Sequence, residues 1–329
     1  YIQLNPFTGF TLKSQVGMEF SDFRTSNRQL PSYLASPNNG NASEGFSRNT
    51  TKTITNTAEY GFKLRDRNSF TFLAGQEFIS NNSNSFSGGS TGQTDDRLTL
   101  LSAGPTGFTA SSSMTEYAFA SYFGRMNYSL DSKYFLDLSV RNDQSSRFGR
   151  NLRSANFYSV GAMWRAKNEK FIQSIKWIND LTVKGSIGTS GNSSIGNYQS
   201  LATVGTNLYN ATPGWGIGSA GNPELSWETQ RQINVGVQAT LFNRLNLDVE
   251  YFDRLTSSML ISVPYPYTTG FSSITSNVGS LRNAGFNANI NYDFIKKKSS
   301  NLNVYANLGY VEQKITELFQ GKKFWIIPN

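Results

Sequence analysis

Three carboxylate residues, Asp137, Asp248 and Glu250, lie in stretches of alternating apolar and polar residues and could act as acids or bases. The 329-residue chain contains no histidine and no cysteine. Catalytic triads and zinc sites therefore lack their usual base and ligands. Carboxylates on the polar face of a strand more often form salt bridges. We expect no catalytic residue, no metal site and no cofactor, and we expect that the protein is not an enzyme.

Two other patterns have the residue types of a binding site. Gly188, Gly191 and Gly196 resemble a phosphate-binding loop, but no helix follows them to supply backbone N–H groups, so we predict a tight turn instead. Arg147 lies in the segment RNDQSSRFG, residues 141–149. It could bind an anionic group of a ligand, or it could hold a structural loop in place.

Aromatic residues accumulate between residues 189 and 226, in the longest stretch that we predict to be a loop. Flat aromatic faces can stack on sugar rings or hold peptide side chains. The alternative is that these rings pack against another domain or a partner. Together with Arg147, the predicted ligand-binding residues are Tyr198, Tyr209 and Trp215.

The overall composition excludes several classes of protein. Hydrophobic residues make up 37% of the chain and aromatic residues 14%, which leaves little material for a deep core. The net charge is +8, but lysine and arginine are spread singly along the chain, so we predict no nucleic-acid binding. The chain also lacks the run of about 18 apolar residues that a membrane-spanning helix requires.

Alternation with a period of two recurs along the chain and predicts about 11 strands. In KYFLDLSVR, for example, Tyr134, Leu136 and Leu138 share one face. Polar residues on the other faces are too numerous for a dry core. The predicted strands are joined alternately by short turns, near Asp66, Asp131 and Asn243, and by long loops, at residues 22–49, 81–113, 189–226 and 253–276.

Long loops at one end and short turns at the other are typical of outer-membrane barrels. We therefore predict an all-β protein, an antiparallel transmembrane β-barrel. An open sheet of about 11 strands has two edges, so we expect the chain to be part of a larger barrel. Phe171, Ile172 and Ile175 recur at helical spacing and predict a short helical turn at the membrane interface. A passive diffusion porin and a soluble β-sheet binding module remain alternatives.

Four segments give the chain a specific resemblance to a known family. The chain resembles the C-terminal barrel portion of the SusC/RagA-type TonB-dependent outer-membrane transporters of Bacteroidetes. These segments are RNDQSSRFG (141–149), LTVKGSIGTSGNSSIGNY (181–198), GNPELSWETQRQINVGV (221–237), and EYFDRLTSSMLISVPYPYTTGF with NVGSLRNAGFNANINYD (250–293).

The resemblance implies a plugged barrel of about 22 strands in the outer membrane of a Gram-negative bacterium. Residues 1–329 would form about half of that barrel, with the plug domain and the rest of the barrel absent. The implied function is TonB-dependent import of a bulky nutrient, an oligosaccharide or an oligopeptide. The implied partners are a SusD-like surface lipoprotein, the TonB–ExbB–ExbD system acting through the plug, and outer-membrane lipid.

Overall fold

A computed structural model describes residues 1–33, 40–297 and 299–319. Most of this part of the chain is β-strand. A single-turn helix, α1 (Lys170–Gln173), and short 3-10 turns at Leu101–Ala103, Ala166–Asn168 and Tyr267–Thr269 lie between strands. Within the described residues, no helix has the length and apolar character that a membrane span requires. The strands are β1 (Ile2–Phe7), β2 (Phe10–Gln29), β3 (Asn41–Leu64), β4 (Asn68–Thr91), β5 (Thr106–Leu130), β6 (Tyr134–Ser145), β7 (Ser154–Arg165), β8 (Ile178–Asn192), β9 (Thr203–Tyr209), β10 (Thr212–Ser219), β11 (Glu228–Leu241), β12 (Leu245–Ser257), β13 (Leu260–Pro264), β14 (Ser273–Asn277), β15 (Ser280–Lys297) and β16 (Ser300–Glu317).

One sheet of 12 strands contains the neighbours β1-β2-β3-β4-β5-β6-β7-β8-β11-β12-β15-β16 in that order. The strands β9 and β10 form a separate two-stranded ribbon, and so do β13 and β14. The all-β antiparallel fold is thus confirmed. The sequence pattern missed β1, which is short and contains Pro6, and it assigned both ribbons to loops.

Short turns connect the strands at one end of the sheet. Two consecutive residues with positive φ, the arrangement of type I′ hairpins, lie between β3 and β4, between β5 and β6, and between β11 and β12. Backbone hydrogen bonds tie neighbouring connections together at this end, since Asp131 N donates to Arg67 O and Phe242 N donates to Trp177 O, both over 2.8 Å. The short turns predicted near Asp66, Asp131 and Asn243 are therefore confirmed.

The long connections are shorter than the sequence pattern predicted, and this part of the prediction was wrong. Strand β2 continues to Gln29 and β3 begins at Asn41, while residues 34–39 of the predicted loop lie outside the described residues. Likewise, β4 continues to Thr91 and β5 begins at Thr106. The Ser/Asn/Thr-rich stretches extend the strands because the sheet ladder satisfies their backbone and side chains bond across it.

The chain divides into two compact units, each with its own contacts. The first comprises Tyr1, Ser14–Thr55 and Glu77–Phe119 and consists mainly of polar strand portions. There Arg48 forms two 2.7 Å hydrogen bonds to Asp22 on the neighbouring strand. Asn81 Nδ2 donates to Asn49 Oδ1 and to Thr51 Oγ1, both over 2.9 Å. Lateral polar contacts of this kind join neighbouring strands in the described part of this unit.

The second unit comprises Ile2–Lys13, Asn56–Gln76 and Ala120–Asn329. Its strand register aligns apolar residues into rows that cross several strands. Side chains within a row share a face because each strand alternates. Each member of the following row is between 44% and 56% exposed, which a soluble sheet would not leave uncovered. Across β11, β12, β15 and β16 the row consists of Val235, Tyr251, Phe286 and Tyr310.

The opposite face of the same four strands carries polar rows. Amides and carboxylates occupy it at the level of the apolar residues on the other side. One row consists of Gln238, Asp248, Asn289 and Asn307. The sheet therefore has one apolar and one polar side, as the alternation in the sequence predicted.

Candidate ligand-binding site

The connection between β6 and β7 packs against the segment that precedes β11. Phe148 and Leu225 are completely buried at this contact. The ring of Trp227 lies with its centroid 5.0 Å from that of Phe148 and 5.7 Å from that of Phe157. Its Nε1 donates a 2.8 Å hydrogen bond to Arg153 O. These residues form a small apolar cluster, which we call the loop core, at the end of the sheet opposite the short turns.

Two glycines allow the loop core to close. Gly149 N donates to Leu225 O over 3.0 Å, and a Cβ at residue 149 would lie 1.8 Å from Pro223 O. A Cβ at Gly191 would lie 2.2 Å from the Phe157 ring. The prediction of one tight turn at residues 188, 191 and 196 was wrong for the first two, which lie within β8. Gly191 is instead a position where an aromatic ring approaches the backbone closely.

The segment before β11 is also fixed to the ribbon of β13 and β14. Asn222 Nδ2 donates to Thr275 O over 2.9 Å. Asn277 acts from the other side, with its Oδ1 accepting from Ser226 N over 2.7 Å and its Nδ2 donating to Ser226 O over 2.8 Å. A side-chain amide can donate and accept at once, so one asparagine replaces a pair of sheet hydrogen bonds. The second ribbon is therefore attached to the loop core.

Arg147 contacts the chain between β8 and β9. Its Nε donates to Asn197 Oδ1 over 2.9 Å, and its Nη1 donates to Ser193 O over 3.1 Å. Two of the five N–H donors of the guanidinium are thus used in bonds to this segment. Holding residues 193–197 in place is the role that the structure shows, and a ligand contact of Arg147 stays a prediction.

The first ribbon carries its two predicted ligand-binding rings on opposite faces. Register places Tyr209 opposite Thr212 and Trp215 opposite Thr206. Because side chains alternate along each strand, Trp215 shares a face with Leu208 and Ile217, while Tyr209 lies on the other face. Tyr209 is 86% exposed and Trp215 is 84% exposed. The ribbon therefore presents one ring on each side and does not bring the two together.

Two further tyrosines belong to this group of exposed rings. Tyr198 has a φ of 66° and lies in the turn where Leu201 N donates to Tyr198 O over 2.9 Å. Tyr267, which was not among the predicted ligand-binding residues, is almost fully exposed at the tip of the second ribbon. The signal was present in YPYTTG, where a proline precedes a tyrosine and a glycine with φ of 82° ends the turn.

Asp137, Asp248 and Glu250, the three carboxylates considered as possible acids or bases, all have basic partners. Arg125 donates to Asp137 through Nε over 2.8 Å and through Nη2 over 2.5 Å. Lys184 Nζ lies 3.4 Å from Asp248 and 3.6 Å from Glu250. Among the described residues, no group of three or more acidic side chains is arranged to hold a metal ion. The arrangement stabilises the polar side of the sheet through ion pairs.

Comparison with known proteins decides what kind of sheet this is. The family profile "TonB dependent receptor-like, beta-barrel" matches residues 2–328. The chain belongs to this family. TonB-dependent receptor P39 of Formosa agariphila is 30% identical over 97% of the chain, and TonB-dependent receptor SusC of Bacteroides thetaiotaomicron is 32% identical over 63% of it. These matches cover 31% and 22% of those relatives.

Solved structures agree with the sequence comparison. The structure of the RagAB peptide transporter matches with a TM-score of 0.93 at 43% identity, over 99% of this chain and 37% of the matched chain. The ferric citrate transporter FecA matches with a TM-score of 0.60 at 11% identity, which shows the shared fold alone. The chain thus spans about a third of the length of the curated relatives that it matches over nearly its whole length.

Family membership gives the two sides of the sheet their environments. The chain is part of a TonB-dependent receptor barrel, and such barrels lie in the outer membrane of Gram-negative bacteria. The exposed row that contains Val235 and Tyr251 faces lipid, and the row that contains Gln238 and Asp248 faces the lumen. Members of the family are receptors and transporters. Because Asp248 faces the lumen, the ion pairs of Lys184 with Asp248 and Glu250 belong to the lumen wall.

Proposed function

We propose that the complete protein imports oligopeptides across the outer membrane with energy supplied through TonB. The observation that carries this proposal is the 43% identity to the RagAB peptide transporter over 99% of the chain. Import needs no covalent chemistry from this wall. Its ion pairs and amides supply a stable polar surface, and its loops supply contacts for a solute at the mouth.

The exposed rings are the proposed ligand contacts at that mouth. Tyr209, Trp215 and Tyr267 are each more than four-fifths exposed on the two ribbons, and the second ribbon, which carries Tyr267, is attached to the loop core. Tyr198 and Arg147 lie beside the loop core, where Arg147 holds the chain between β8 and β9. A ring that is exposed and rigidly supported can bind a ligand at a low entropic cost.

The rest of the complete protein would supply closure and energy. Strand β16 is exposed along its whole length at the edge of the sheet, and a barrel has no free edge. We infer that residues 1–329 are one segment of a barrel that further strands of the complete protein close around a plug domain. The TonB–ExbB–ExbD system would act on that plug, and a SusD-like lipoprotein would cover the loops, as the family resemblance implies.

Oligosaccharides are the second candidate substrates. They are favoured by the exposed flat faces of Trp215 and Tyr209, since aromatic rings stack on sugars as readily as they hold peptide side chains. Peptides and sugars present different polar groups to the lumen wall. A peptide presents backbone amides, whereas a sugar presents hydroxyl groups, and Gln238 or Asn289 can bond to either.

The test uses the complete receptor purified together with its lipoprotein. Binding of a defined mixture of oligopeptides and a matched mixture of oligosaccharides is measured by native mass spectrometry, which identifies the retained species. Retention of peptides alone supports the proposal, and retention of sugars alone replaces it with the second candidate. Uptake is then compared in cells with and without TonB. Equal uptake in the two strains would show passive diffusion and would overturn the proposed energy source.

A further inference from the structure

The connection between β7 and β8, residues 166–177, has an apolar underside. Ala166, Ile172 and Ile178 are buried there and form one cluster. The residues of the sheet that pack against this cluster include Trp164 and Leu241. We call residues 166–177 the interfacial segment. The sequence pattern predicted a short interfacial helical turn here, and α1 occupies it.

Register shows which side of the sheet the interfacial segment covers. Trp164 pairs with Val183, and Val183 pairs with Val237. Val237 lies two residues from Val235 and has the same orientation, towards lipid. Leu241 follows Val237 at an even spacing and points to the same side. The interfacial segment therefore lies on the lipid-facing side of the wall, at the end where the short turns are.

The outer side of the interfacial segment is exposed and basic. Lys170, Phe171, Lys176 and Trp177 are all exposed. The Trp177 ring stacks on Phe242 at a centroid distance of 5.7 Å, which holds it at the edge of the apolar wall. Phe171 is 66% exposed, although it is adjacent to the buried Ile172. Aromatic rings at this depth are typical of a membrane interface.

The two exposed lysines differ from the neighbouring lysines in having neither a carboxylate nor a backbone carbonyl as a partner within the described part of the chain. Lys133 Nζ lies 3.3 Å from Glu169 Oε2. Lys167 Nζ donates to three backbone carbonyls of the segment, the shortest bond being 2.9 Å to Ile175 O. Those ammonium groups stabilise the fold of the segment. The ammonium groups of Lys170 and Lys176 are available for an external anion.

We infer that the interfacial segment binds the phosphate headgroups of anionic phospholipid in the leaflet at the short-turn end, which is the periplasmic leaflet in outer-membrane barrels. Two observations select a lipid. The surface continues the lipid-facing wall, and its unpaired charges are complementary to a phosphate. Phe171 and Trp177 would lie at the level of the upper acyl chains while Lys170 and Lys176 reach the headgroups.

The test compares lipids on the complete receptor. Receptor in detergent is equilibrated with equal amounts of phosphatidylglycerol and phosphatidylethanolamine, and bound lipid is counted by native mass spectrometry. The wild-type receptor should prefer phosphatidylglycerol. In the double variant Lys170→Gln with Lys176→Gln, the ratio of bound phosphatidylglycerol to bound phosphatidylethanolamine should fall about five-fold for each lysine removed. The charge-matched control Arg150→Gln with Arg153→Gln, on the β6–β7 connection at the other end, should keep it.

An arginine variant and a phosphate competitor test whether charge and lipid are both required. Lys170→Arg with Lys176→Arg should retain the preference, because the charge stays while the side chain changes. Inorganic phosphate is added as a competitor at the same concentration as the lipid: if it displaces phosphatidylglycerol from the wild-type receptor, the acyl chains add nothing to binding and the assignment to lipid is overturned. An unchanged preference in the double glutamine variant, with a folded barrel by heat-modifiability, would likewise overturn the inference.

Discussion

Trp227 joins two connections that are far apart in the chain, because its ring packs 5.0 Å from the ring of Phe148 while its Nε1 donates to Arg153 O. Phe148 and Arg153 belong to the β6–β7 connection, whereas Trp227 directly precedes β11. One side chain thus supplies both the apolar contact and the hydrogen bond that hold the loop core together. The second ribbon, which carries Tyr267, is attached to the loop core through Asn222 and Asn277.

Replacing Trp227 by Ala should release the β6–β7 connection without unfolding the barrel. Loss of a buried tryptophan costs about 3–5 kcal/mol, so amide exchange in residues 146–153 should become faster by about 100-fold or more. Trp227→Phe keeps much of the packing and should cost only about 1 kcal/mol for the lost hydrogen bond. Trp215→Ala, at an exposed ring, is the matched control and should leave this exchange unchanged. If amide exchange in residues 146–153 is equally fast in Trp227→Ala, Trp227→Phe and Trp215→Ala, Trp227 does not hold the β6–β7 connection in place.

The two faces of the wall should respond differently to arginine. Val235→Arg or Leu247→Arg places a charge towards lipid and should cost roughly 2–4 kcal/mol near the middle of the membrane. Asn234→Arg or Asn246→Arg faces the lumen and should be nearly neutral for assembly. Heat-modifiability and yield in the outer membrane measure the difference. Equal tolerance of arginine on both faces would show that the assignment of faces is wrong.

Labelling should distinguish the two ends of the sheet. The chain contains no cysteine, so single cysteines can be introduced without background from this segment. An impermeant thiol reagent applied to intact cells should label Asn210→Cys, at the tip of the first ribbon. It should not label Asp66→Cys, Asp131→Cys or Asn243→Cys, at the short turns. Labelling of the short turns in intact cells, with the ribbon protected, would reverse the proposed orientation.

An ion pair between neighbouring short turns should make this end sensitive to acid. Arg67 donates to Asp131 over 2.7 Å from Nε and over 2.6 Å from Nη2, and these bonds hold the pKa of the Asp131 carboxyl below its usual value. The stabilisation is therefore complete above the unfolded pKa of about 3.9 and is lost as pH falls through the lower folded pKa.

Asp131→Asn tests this contribution. The variant should show faster amide exchange at the β5–β6 turn than the wild type near neutral pH, and the two should converge at strongly acidic pH. The effect should be small and should weaken in high salt, because the pair is exposed. A constant difference between variant and wild type at every pH would show that Asp131 acts through something other than its charge.

Single substitutions of Tyr209 and Trp215 should not have equal effects on ligand binding. The two rings lie on opposite faces of the ribbon, so one rigid ligand can stack on only one of them. If Trp215 is the contact, Trp215→Ala should weaken binding by about 1–2 kcal/mol while Tyr209→Ala leaves the affinity unchanged. Titration of the purified complex measures both. Unchanged ligand affinity with a weakened lipoprotein contact would assign the rings to the partner and would remove them from the ligand site.

The sequence predicted the wall better than the loops. Alternation in β11 and β12 follows directly from a surface that meets lipid on one side and water on the other, so period two is visible residue by residue. The extensions of β2 and β3 were missed because polar residues predominate on both of their faces, with isolated rings such as Phe23 and Phe46 among them. Their strands are specified by lateral hydrogen bonds, such as those of Asn81 to Asn49 and Thr51, which leave no hydrophobic pattern.

The candidate site was predicted by residue type and not by geometry. Aromatic density identified Tyr209 and Trp215, but their separation onto opposite faces depends on the β9–β10 register, and this pairing has no strong alternation to reveal it. A structural role of Arg147 was one of the two alternatives, but its partner Asn197 could not be identified because it is distant in the chain. Tyr267 was missed because its signal, a proline before a tyrosine in a turn that ends at a glycine, is not periodic.

The amide side chains on the lumen side have a consequence for solute movement. Gln238, Asn289 and Asn307 lie in one row with Asp248, and each of the three amides both donates and accepts. A peptide group, a hydroxyl group or a water molecule can replace one another at such a position with little change in energy. A polar solute that slides along this surface would exchange each contact for an equivalent one, so its path has shallow minima and little friction. If the complete protein imports solutes as proposed, selection between uncharged polar solutes would take place at the mouth, and on this part of the wall only a charged solute would be distinguished, by the ion-pair group of Lys184, Asp248 and Glu250.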